Sequence, residues 1–233
     1  MKYIVGGYYL VQGVDTPSRM AEIISIPVLW TLTDCICNIL PTYALLPGCE
    51  SKDEMISEII NFTGLSVNEV ESMKTTIEEM LNTKQIGWPN VFHTFESAHL
   101  FYSKYLSKAE NFKILGIAFP EKDAEKFLNE ENPNNVDGIG IFDVLSKNQE
   151  LPSNINVLGF EILGHEYGGD FHSFLCNGLE KDFSEKLGIS FNETGRINTL
   201  EDAKRAEEYI NDDSVGAEPV PWFKCLVFEQ LMA

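Results

Sequence analysis

Phe112-Lys113-Ile114-Leu115-Gly116-Ile117-Ala118-Phe119-Pro120, running into Glu121-Lys122-Asp123-Ala124-Glu125-Lys126-Phe127-Leu128, is where the chain changes texture. Residues 112–119 are rich in β-favouring and apolar side chains and predict a strand. Pro120 then presets the φ of a first helical turn, and Glu121 and Asp123 suit the positive end of a helix, so residues 120–128 predict a short helix.

Toward the N-terminus the sequence reads as helices. Residues 94–106 predict one, with Phe95, His99, Tyr102 and Leu106 on a shared face. Ser66-Val67-Asn68-Glu69 and Ser51-Lys52-Asp53-Glu54 both have the capping-box pattern, and each opens an apolar stripe at helical spacing. Residues 2–12 predict a first strand, with Gly6-Gly7 marking a bulge or a close backbone approach. Residues 13–50 are punctuated by proline; the part between Pro27 and Pro41 reads as a short buried helix or strand. The apolar run 23–46 is broken by Pro27, Asp34, Asn38 and Pro41 and does not predict a membrane span.

Toward the C-terminus, residues 132–137 predict a turn and 139–145 a short strand. A longer strand follows over 156–167, then helices over 171–187 and 200–210, the latter capped by Thr199, and a last strand over 223–229. Strands interleaved unevenly with helices predict an α+β fold: a mainly antiparallel sheet of four to five strands with helices packed on one face, in a single domain over residues 1–233.

Composition narrows the partners. There are 17 basic residues against 36 acidic ones, a net charge of -19, and about half of the excess falls after residue 150. No basic stripe stands free of carboxylates, which excludes nucleic acid and disfavours anionic membrane surfaces, and leaves a basic protein as the compatible partner. Five cysteines, an odd number, and an N-terminus without a secretory leader pattern predict a reducing, cytoplasmic setting.

Chemistry-bearing residues are densest in Gly159–Asn177, which holds His165, Glu166, Asp170, His172 and Cys176. On a strand, Glu161 and His165 stand about 13 Å apart and do not share a metal. His172 and Cys176 would lie one helical turn apart, and with His165 or Asp170 folded across the glycine turn they form a candidate zinc-type set; Cys176 paired with His172 is also a candidate nucleophile. Cys35, Cys37 and Cys49 lack the spacing of a zinc site, and His93 and His99 read as packed core. Gly138-Ile139-Gly140 lacks the rest of a phosphate loop, so no cofactor is expected. Asp212, Asp213, Glu218 and Trp222 read as an acidic loop with an aromatic anchor. The charge profile and the missing enzyme signatures together predict an acidic domain that docks a basic protein, as bacterial immunity proteins do when they neutralise a toxin. The alternative is a hydrolase or metal-dependent enzyme around His165, Asp170, His172 and Cys176.

Overall fold

A computed structural model describes residues 1–40, 45, 53–166 and 169–232. In chain order these form β1 (Tyr3–Gln12), β2 (Val14–Asp15), β3 (Val28–Leu29), β4 (Asn38–Ile39), α1 (Asp53–Thr63), α2 (Val67–Asn82), β5 (Ile86–Gly87), β6 (Val91–Phe92) and α3 (Phe95–Tyr105). There follow β7 (Phe112–Pro120), α4 (Glu121–Glu131), α5 (Gly140–Leu145), β8 (Ile155–His165), β9 (Phe171–Ser173), α6 (Glu180–Leu187), α7 (Leu200–Ile210) and β10 (Trp222–Gln230).

The fold is α+β. Its antiparallel sheet is larger than the four to five strands expected: seven run in the order β5-β6-β1-β7-β10-β8-β9, and β4 adds to β1. The extra strands are two or three residues long, too short to show a period of their own in the sequence. The sheet is also curled. Three strands separate β1 from β9, about 19 Å across a flat sheet, yet the rings of Tyr9 and Phe171 are 6.4 Å apart.

Both faces of the sheet are covered, not one. Phe95 of α3 packs on Tyr8, while Phe127 of α4 stacks on Phe119 at 5.5 Å. Tyr8 lies opposite Gly116, which puts it on the other face from Phe119. Central strands buried on both sides carry continuous apolar runs instead of alternation, which accounts for the composition of β7.

Local signals translated well where they were chemical. Ser66 and Glu69 form the capping box of α2, and Thr199 caps α7. The register of β1 against β7 slips between Val5 and Gly7, where Gly7 has φ +130° and a Cβ would lie 2.4 Å from Val91. The box at Ser51 falls outside the described residues.

Three local expectations are corrected. Residues 139–145 give a helix, α5: on either side of Ile139 the Trp88 amide donates to the Gly138 carbonyl and the Gly140 amide donates to the Trp88 carbonyl, and Gly140 packs where a Cβ would meet Val91 at 2.5 Å. The helix expected over 171–187 is shortened to α6, because residues 171–173 pair with β8 and Gly178, at φ +67°, ends the turn between them. The buried face of α3 is Ser97, Ala98, Phe101 and Tyr105; Phe95 and His99 stack together on its flank.

His93 is buried, and its Nδ1 accepts a hydrogen bond from Lys147 Nζ at 3.0 Å. Burial, reinforced by the Lys147 charge, lowers its pKa to about 4. The unfolded chain therefore binds the extra proton first as pH falls from about 6.5, and the contribution of neutral His93 is lost between there and about pH 4. His93→Gln should remove an acid-side loss on the order of 1–2 kcal/mol at pH 5. Urea midpoints measured from pH 7.5 to 5 should converge for the two proteins, and parallel profiles would refute the assignment.

Candidate functional site

The site is built where the loop Thr31–Cys37 meets the β8–β9 hairpin. The loop is held from below by charge. Glu161 on β8 and Arg196 are both almost fully buried; Oε2 and Nε face each other at 3.6 Å, an ion pair longer than a hydrogen bond. Thr31 Oγ1 donates to Glu161 Oε1, and Arg196 Nη2 donates to the Trp30 carbonyl at 2.6 Å. Cys37 Sγ accepts from the Thr31 amide and lies 3.3 Å from the Leu29 carbonyl, so this buried cysteine closes the loop on itself. Its outer side then presents Asp34 and Cys35, while the buried Thr33 turns its hydroxyl to the hairpin side.

The hairpin supplies the facing groups. In the β8–β9 ladder, His165 pairs with Phe171 and Gly164 with His172. Cross-strand partners share a face and successive residues alternate, so His165 and His172 point to opposite sides. His165 turns inward, where Nδ1 meets Glu131 Oε2 at 3.2 Å and the rings of Phe127, Phe142 and Phe171 surround it; burial lowers its pKa. His165 is therefore not part of one ligand set with His172 and Cys176, which corrects that expectation.

His172 lies on β9, the edge strand, which lets the Thr31–Cys37 loop reach it. Its Nε2 is 2.7 Å from Glu166 Oε1, and its Nδ1 is 4.0 Å from Cys35 Sγ. Cys176 is on the following turn, not on a helix with His172. Its sulfur accepts from the Ser173 amide at 3.4 Å and lies 3.3 Å from Thr33 Oγ1. The donor atoms of Cys35, His172 and Cys176 all lie within 4.8 Å of one another. Burial, opposed by the hydrogen bonds from Thr33 and Ser173 and reinforced by Cys35, pushes the Cys176 thiol up to about 12, which is unlike an activated nucleophile. Asp170, also expected here, lies close enough for its carboxyl to feel Asp34, Glu166 and His172; burial first, then the neighbouring carboxylates, raise its pKa.

The acidic loop is at the same end of the sheet. Glu218 N donates to the side chain of Asn177, the residue after Cys176, and His165 N donates to the Pro221 carbonyl. Asp212, Asp213 and Glu218 are exposed and border a cavity of about 300 Å³. The Ser214 hydroxyl and amide hold the Asp212 carboxyl below the usual range. Trp222 is not an exposed anchor: it is 3% exposed, its ring covers Gly164, and its Nε1 donates to the Glu218 carbonyl. Among the described residues, Asp34, Asp170, Asp212, Asp213 and Glu218 make no salt bridge, whereas Glu161, Glu180 and Glu207 are each paired with Arg or Lys.

Cys35 is the residue that sequence reasoning missed. It stands 137 positions from His172 and its sequence neighbours offered only Cys37, which points into the core. Comparison of the chain with known protein families, curated proteins and solved structures returns no match, so the reading of this site rests on its own chemistry.

Removing one partner of the buried ion pair leaves the other charge uncompensated. Arg196→Met should destabilise the chain by about 3–5 kcal/mol, and the double variant Glu161→Leu with Arg196→Met should recover much of that loss. Urea denaturation decides: an Arg196→Met variant within about 0.5 kcal/mol of the parent would mean the pair does not anchor the loop.

Proposed function

We propose that this chain is an acidic docking domain that binds a basic protein, offering the end of the sheet formed by the β8–β9 hairpin and the Asp212–Glu218 loop. One observation carries the reading. Asp34, Asp170, Asp212, Asp213 and Glu218 gather there, none of them in a salt bridge among the described residues, and residues 31–37, 155–173 and 212–218 contain no Lys or Arg. Fields of one sign left unneutralised over a patch accelerate encounter with an oppositely charged partner and repel nucleic acid. Toxin neutralisation of the immunity-protein kind is the form of this function that the charge profile suggests. A second reading, an enzyme using Asp170, His172 and Cys176, is favoured by the approach of Cys35 but loses His165.

The partner is to be captured from the source lysate on the immobilised chain, eluted with salt and identified by mass. Reversal of Asp212, Asp213 and Glu218 to Lys should slow association about tenfold or more at low ionic strength, with little change in dissociation, and the difference should shrink at high salt. Capture that is indifferent to both salt and charge reversal would refute the docking surface.

A further inference from the structure

We propose that Cys35, Cys176 and His172 form a binding site for one zinc-type divalent cation, with Glu166 orienting the imidazole and solvent completing the coordination. The inference stands independently of the docking function.

The distances fit first. A tetrahedral zinc with Zn–S of about 2.3 Å and Zn–N of about 2.0–2.1 Å separates its donor atoms by about 3.5–3.8 Å. The three donors here lie within 4.8 Å, and Cys35 Sγ and His172 Nδ1 are already at 4.0 Å. Closing the set takes movements of about 1 Å or less. Most of that can come from the exposed Cys35, since Cys176 and His172 are fixed by the turn and the ladder.

The surroundings fit as well. A metal-bound imidazole needs its other nitrogen held by an acceptor, and the Glu166 carboxylate at Nε2 does this, leaving the Nδ1 lone pair toward Cys35. Thr33 Oγ1 and the Ser173 amide stand at the Cys176 sulfur, where they would donate to a thiolate. Asp34 and Asp170 add negative charge without ligating, and no salt bridge to Lys or Arg neutralises them among the described residues. The buried Glu161–Arg196 pair fixes the loop that delivers Cys35.

The donor set chooses the cation. Two sulfurs and one imidazole nitrogen suit zinc and its spectroscopic substitute cobalt(II), and disfavour calcium and magnesium, which take oxygen. Binding deprotonates both thiols: the cation and two S–H groups give two metal–thiolate bonds, with both protons passing to solvent, and no electrons are transferred. The exposed side at Cys35 leaves the remaining position to water.

The test is a cobalt(II) titration of the reduced, chelator-treated full chain. A thiolate-to-cobalt charge-transfer band in the near ultraviolet and tetrahedral visible bands should saturate at one equivalent, and one equivalent of zinc should abolish them. Cys35→Ser and Cys176→Ser should each remove most of the charge-transfer intensity. Glu166→Gln, which touches no donor atom, should keep the stoichiometry and weaken affinity about 10–100-fold. Cys35 and Glu166 are both exposed, so those variants stay folded even if Cys176→Ser does not. Absence of the charge-transfer band in parent protein that circular dichroism shows to be folded would overturn the site, as would a band undiminished in Cys35→Ser.

Discussion

The buried pairing of Glu161 with Arg196, tied to Thr31 and the Trp30 carbonyl, is the constraint on which the functional end of this molecule depends. Two charges removed from water persist only if their mutual attraction and hydrogen bonds offset a desolvation penalty of several kcal/mol per ion. Here the compensation comes from three places far apart in sequence: β8, the turn before α7, and the loop after β3. The pair therefore acts as a knot. The loop cannot leave the sheet without stripping the buried Glu161 carboxylate of the Thr31 hydroxyl, so the outward side of the loop, with Asp34 and Cys35, is held in one place.

The curl of the sheet does the complementary work. Closing β9 toward β1 creates an inner face lined by Tyr9, Phe171, Phe127, Phe142 and Phe223, and that interior takes up His165 as a ring-enclosed group whose pKa burial lowers. The adjacent His172 points the other way and stays accessible. A single residue of strand alternation thus separates a structural histidine from one that faces thiols and a carboxylate.

The distribution of charge follows the same division. Lys224, buried near the start of β10, is matched by Asp123 and Glu207, and the exposed helices carry their own short-range pairs. No Lys or Arg stands in the segments that meet at the other end, residues 31–37, 155–173 and 212–218. That end combines an attractive field for cations with a small set of soft ligands. In the two roles proposed, the same negative potential would draw in a basic protein surface at long range and a metal ion at short range.

Much of the fold was legible in the sequence because it rests on local chemistry. The Ser66–Glu69 capping box, the Thr199 cap, the Gly6-Gly7 bulge and the long strands at 3–12, 112–120, 155–165 and 222–230 depend on residues within a few positions of one another. The sequence by itself also determined the acidity, the α+β class and the concentration of reactive side chains between residues 159 and 177. Only the tertiary structure decided the size and curl of the sheet, the fate of residues 139–145 and 171–179, and which of the histidines meets which cysteine. Short apolar runs take either helix or strand according to the neighbour that pairs with them. Cys35 joins His172 and Cys176 only through a loop fastened by buried charges on other elements, and such long-range contacts leave no period or spacing in the chain to be read.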